Sequence, residues 1–155
     1  MLITPSRALR LAFGAEEPLP PGTVTEADIA AAEERYILPV IGQRLYERLL
    51  AGECPSLVDD YLAAPTALYT RILIQPRLDI RTGGCGTAAP YAADARPADT
   101  EPLRARRRAL LAEARTLLRR AARHLAAHRD DYPEYDPHRD ILNRCTLDGD
   151  FVQSA

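Results

Sequence analysis

Apolar residues recur at helical spacing through most of the chain, and prolines and glycines cut the pattern into segments. Thr4-Pro5 has the form of an N-cap followed by proline at the first helical position. Leu9, Ala12 and Phe13 then share a face and Gly14 offers a stop, so a helix over 5–13 is predicted. After a Pro/Gly loop, Thr25-Glu-Ala-Asp28 resembles a capping box, with Val24 and Ile29 placed as a hydrophobic staple. The helix it opens is expected to run over 26–37 and to end at Leu38-Pro39, because a residue before proline avoids the α region. A second helix restarts near Gly42, buries Leu45 and Leu49, and closes at Gly52.

Ser56-Leu-Val-Asp59 reads as the next cap. Leu57, Tyr61, Leu62, Leu68, Tyr69, Ile72 and Leu73 keep helical spacing to about residue 75, with a kink expected at Pro65 and an end at Pro76. Leu78, Ile80 and Thr82 alternate with charged residues, which predicts a strand leading into the Gly83-Gly84-Cys85-Gly86 turn. The longest helix is predicted over 101–129. Leu103, Leu110, Ala114, Leu117, Leu118, Ala121 and Leu125 form its apolar stripe, and Asp130, Asp131 and Pro133 end it. The pattern gives a mainly α fold of four or five helices with a small β-hairpin or loop insertion at 77–100. A helical unit spans 1–131, and an extended tail, 132–155, follows.

Charge changes this picture, because it is sorted along the chain. Residues 1–100 hold 9 Arg against 13 acids, residues 101–129 hold 9 Arg against 2, and residues 130–155 hold 2 Arg against 7. Every lysine position is empty; the cations are arginines, whose planar fork suits carboxylate pairing at interfaces. A basic helix between acidic flanks calls for acidic company in its own subunit or in the next one. The three cysteines are far apart and no Cys-x-x-Cys occurs, which points to reduced thiols in a cytosolic setting. No apolar run approaches the ~20 residues of a membrane span, and the first residues do not read as a secretory signal.

Catalytic signals are weak. His124 and His128 have the spacing of a two-histidine metal site, with Asp131, His138 or Cys145 as third ligand, but the arginines around them favour a solvated pair. The glycine turn lacks the Lys-Ser/Thr of a phosphate loop. Nothing local supports Cys85 as a nucleophile paired with a histidine. The expectation is no enzyme, no metal and no cofactor. The residues most suited to a partner interface are Arg104, Arg107, Arg108, Arg119 and Arg123 on the last helix, with Tyr132, Pro133 and Tyr135 as a docking arm.

A family resemblance rests on these segments in this order: Met1-Leu-Ile-Thr…Leu-Ala-Phe13, Ala32-Glu-Glu-Arg-Tyr-Ile-Leu-Pro-Val-Ile-Gly-Gln-Arg-Leu-Tyr46, a kinked third helix, a strand-and-glycine insertion, a long last helix, and Asp131-Tyr-Pro-Glu-Tyr135. The chain resembles the head–tail connector (adaptor, head-completion) proteins of tailed phages and prophages, to about residue 145. The resemblance implies a structural subunit of the virion, made in the host bacterial cytoplasm. Such subunits form a homo-oligomeric ring, often about twelve copies, that docks between the portal protein and a downstream connector or tail protein. DNA is then channel cargo and no membrane is involved. The competing reading is an Arg-rich helical nucleic-acid-binding protein, whose isolated subunit binds DNA with a steep salt dependence.

Overall fold

The computed structural model describes residues 1–14, 19–83, 86–88 and 100–143. The rest of the 77–100 insertion, Cys85, Cys145 and the last part of the tail lie outside the described residues.

The chain is mainly α, as the periodicity predicts. Helix α1 (Pro5–Phe13) starts on Thr4, whose hydroxyl accepts the Arg7 N–H, and ends at Gly14. Helix α2 (Glu26–Ala32) has the reciprocal capping box of Thr25 and Asp28, and Val24 and Ile29 are both buried beside it.

The first departure follows at once. The helical path does not end at Leu38-Pro39. It widens into a π turn (Glu33–Ile37) and continues as α3 (Leu38–Ile41) before Gly42 stops it. The same device recurs further on. Helix α5 (Pro55–Leu57) runs into a π turn (Val58–Leu62) and then α6 (Ala63–Asp79). In an α-helix a proline ring collides with the carbonyl four residues back. Pro39 and Pro65 each lie two to three residues past a π turn. There the i to i+5 register carries the carbonyls away from the ring.

Two starts and stops also move. Pro55, not Ser56, opens α5, with Cys54 in the left-handed region (φ 54°) before it. Pro76 does not end α6, which runs three residues further and so absorbs Leu78 and Asp79 from the expected strand. Beyond it, β1 (Arg81–Gly83) and β2 (Gly86–Ala88) pair antiparallel, with Thr82 opposite Thr87. Two such short strands carry none of the fold.

Helix α6 is the axis of the molecule. From Ala63 to Ile74 nearly every residue is buried, including Thr66, Thr70 and Arg71. Helix α1, helix α2 and the long helix α7 (Thr100–Ala127) pack around it. A helix that is apolar on all sides belongs in the middle of a core. The buried hydroxyls are satisfied within the helix, Thr66 donating to Leu62 O (2.7 Å) and Thr70 to Thr66 O (2.8 Å). Arg71 donates to Ala12 O and lays its guanidinium over the Phe13 ring at 4.2 Å, which ties the end of α1 to α6. Helix α4 (Gln43–Leu50) buries Leu45 and Leu49, as expected.

Candidate partner interface

Helix α7 buries the predicted stripe. Ala114, Leu118, Ala121 and Leu125 are fully inside, and Leu110 and Leu117 are half-buried. That fixes where its arginines go. Arg104, Arg108, Arg115, Arg119 and Arg123 are spaced four, seven, four and four, so they line one flank beside the stripe. At 1.5 Å per residue the row is about 28 Å long. All are exposed except Arg119, which is half-buried. Among the described residues, Arg108 alone in this row forms an ion pair, with Glu101 (2.9 Å), and both partners are mostly in solvent. Such a pair is weak.

Arg107, expected in the same set, faces elsewhere. With Arg104, from the end of the row, it helps line a small cavity of about 170 Å³ between the ends of α6 and α7, beside Ile72, Gln75, Leu103 and Leu110. Arg115 takes its place in the row. Its spacing, seven from Arg108 and four from Arg119, is the signal that could have found it.

The tail is not the extended arm that its composition suggests. Tyr132 and Tyr135 are 8% and 4% exposed and belong to the core, so neither is presented to a partner. Tyr135 donates its hydroxyl to Asp140 Oδ2 (2.9 Å), while the Leu142 N–H donates to Oδ1 (2.8 Å). Burial raises the pKa of Asp140 and of Tyr135 above their ordinary values. Arg48 straps the segment down, reaching Glu134 (3.0 Å) with one nitrogen and Glu53 (2.8 Å) with another. Residues 132–143 are therefore part of the helical unit, ending in a 3-10 turn (Ile141–Asn143). Pro133 remains exposed, on a cavity of about 500 Å³ that it shares with Pro39, Arg44 and Arg139.

Where the folded tail meets α7, the structure brings three of the sequence candidates together. Arg119, Arg123 and Tyr135 line a cavity of about 540 Å³ with Thr116, Pro137 and Leu142. A neighbouring cavity of about 240 Å³ is lined by Arg35, Tyr36, Tyr69, Arg115, Arg119 and Leu142, among others. The C-terminal part of the arginine row, Arg115, Arg119 and Arg123, thus lines a groove between α7 and the tail.

The acids around Glu26–Glu34 divide. Glu33 is fully buried and occupied: its carboxylate accepts the Leu2 N–H (2.6 Å) and the Tyr46 hydroxyl (2.7 Å). Desolvation, then this bond, raises the Tyr46 pKa. Asp28 accepts from Arg77 (2.8 and 2.9 Å), chiefly for which its carboxyl is held below the usual value. Glu26 and Glu34 remain exposed.

The paired histidines are an aromatic contact. His124 stacks on Tyr61 (4.1 Å, 15°), with the His128 ring 4.2 Å away and Tyr132 at 6.0 Å. Burial, and then His128, lowers the His124 pKa. Among the described residues no group of three or more His, Cys, Asp or Glu could hold a metal ion. No described helix is long and apolar enough to cross a membrane.

Residues 33–141 match the model of a protein family described as a family of unknown function, DUF6712. No curated protein and no solved structure matches the chain.

Proposed function

This chain belongs to the DUF6712 family, and we propose that it is a structural subunit of a phage or prophage head–tail connector. In this reading copies of the chain close into a ring that joins a portal protein to tail components. It carries out no reaction and needs no cofactor. The observation that carries the proposal is the arginine row of α7, about 28 Å of aligned guanidinium groups, four of the five exposed and just one of them ion-paired among the described residues. A closed ring needs two different, complementary patches on each subunit. A cationic flank on α7 and exposed acids elsewhere on the same chain supply such a pair. Arginine favours it further, because its fork binds carboxylates through two parallel hydrogen bonds.

The second reading, a helical nucleic-acid-binding protein, draws on the same row, since aligned arginines also suit phosphates. Two measurements on the purified chain separate them. Native mass spectrometry at high protein concentration is expected to show closed oligomers, and co-expression with a tailed-phage portal protein is expected to yield a complex. A strict monomer that binds duplex DNA, with log affinity falling linearly against log salt, would favour the second reading and remove the first.

A further inference from the structure

The cavity of about 240 Å³ beside α7 joins an aromatic and apolar wall to three arginines. Its inner wall is the Tyr36–Tyr69 stack, rings 4.1 Å apart and 9° from parallel. Leu111, Leu118 and Val40 make it apolar, and Ile141, 46% exposed, stands among its lining residues. Arg35, Arg115 and Arg119 supply three guanidinium groups. Tyr69 is 2% exposed and lines the cavity, yet its hydroxyl makes no hydrogen bond to any described residue. Its oxygen is not enclosed by protein, so it opens onto the cavity and can donate a hydrogen bond there. The hydroxyl faces a space ringed by cations, where an incoming acceptor would be an anion.

The chemistry required is a carboxylate next to an apolar side chain. A phosphate backbone would use the arginines but leave the apolar wall uncovered. The chain itself contains a matching sequence, Leu147-Asp-Gly-Asp-Phe-Val152, with two acids set between apolar residues. We propose that this cavity is a docking pocket for residues 147–152 of a second copy of the chain, Tyr69 donating to one carboxylate while Arg115 and Arg119 clamp it. The second copy is the better source than the same chain. In a closed ring each patch meets a different patch on the next copy, and an acid-and-apolar segment answers an arginine-and-apolar pocket in that way. The proposal rests on the ring reading, for which it names one of the two complementary patches.

The test uses a fluorescent synthetic peptide spanning residues 146–154 and the full chain carrying Asp148→Asn and Asp150→Asn, so that no internal competitor is present. Anisotropy is expected to show saturable binding that weakens with salt. Arg115→Ala with Arg119→Ala is expected to weaken it at least tenfold, about the loss of one charge-assisted contact. Tyr69→Phe, which keeps the ring stack, is expected to weaken it about threefold or more. A peptide with both aspartates changed to asparagine should not bind. Equal binding to the arginine variant and the parent overturns the proposal, as does no binding at all. Sedimentation of the unsubstituted chain against the Asp148→Asn/Asp150→Asn chain decides the source. Loss of self-association supports docking on a second copy. Unchanged self-association, or an unsubstituted monomer that refuses the peptide, overturns it. Rings that persist while the peptide fails to bind leave the connector reading standing and remove this pocket alone.

Discussion

Two buried carboxylates show how single residues hold this fold, and they do so with different costs. Glu33 lies in the π turn after α2 and joins the N-terminus to α4 through Leu2 and Tyr46. Glu33→Ala would leave a half-buried phenol and a backbone N–H without their acceptor, and is expected to cost about 3 kcal/mol of stability in urea unfolding, with Glu33→Gln costing less. Asp140 works against the fold at neutral pH. Its pKa is raised above 3.8 by burial, so the folded state binds the proton more tightly than the unfolded one. Stability is therefore lost as pH rises through that window. Asp28 has the opposite sign: its lowered pKa gives stability that is present above the unfolded value of 3.8 and lost as pH falls through the folded value. Urea melts across this range are expected to show a smaller loss at low pH for Asp28→Asn, and a smaller decline from about pH 4 to neutrality for Asp140→Asn. Nothing in the sequence marks Glu33 or Asp140 as buried. Each is one acid among many, and its role depends on partners 31 and 13 residues away for Glu33 and on a tyrosine five residues before for Asp140.

At the scale of elements, caps were legible and continuity was not. Thr4, Thr25, Gly14 and Gly42 act locally, through their own backbone and hydroxyls, so local sequence is enough to find them. Pro39 and Pro76 each looked like an end and Pro65 like a kink, yet all three lie within helical runs. A π turn upstream makes room for Pro39 and Pro65, and such a turn leaves no sequence signature. The tail was opaque for another reason: Tyr132 and Tyr135 are buried by separate contacts, with no period to read. Two substitutions test these devices. Gly42 joins α3 to α4 at φ 81° and ψ 156°, a conformation close to forbidden for other residues, and no atom lies within 4 Å of an added Cβ. Gly42→Ala is expected to cost about 2 kcal/mol from backbone strain alone. Pro76 is exposed inside α6 and withholds one N–H from the helix. Pro76→Ala is expected to raise stability by about 1 kcal/mol, less than the usual penalty for an interior proline because the change also frees the unfolded chain.

For the whole molecule, the deciding quantity is where charge lies, since the net value of −2 conceals a strongly basic helix. If subunits meet through the α7 row, the attraction is between exposed groups and is screened by salt, with a Debye length of about 8 Å at physiological ionic strength. Self-association measured by sedimentation is then expected to weaken as salt rises from about 50 to about 500 mM. A chain with Arg104→Gln, Arg108→Gln, Arg115→Gln and Arg123→Gln should associate weakly at every salt concentration, without the wild-type slope. These side chains are exposed, so each change should move stability by no more than about 0.5 kcal/mol. A thermal melt close to wild type would then separate lost association from lost folding. The opposite salt trend has a clear physical source. Leu11, Leu50 and Ile141 are also exposed, and contacts made through them strengthen as salt drives apolar surface from water. Association that grows with salt in both chains would place the subunit interface on those residues and leave the arginine row to an anionic partner other than the chain itself.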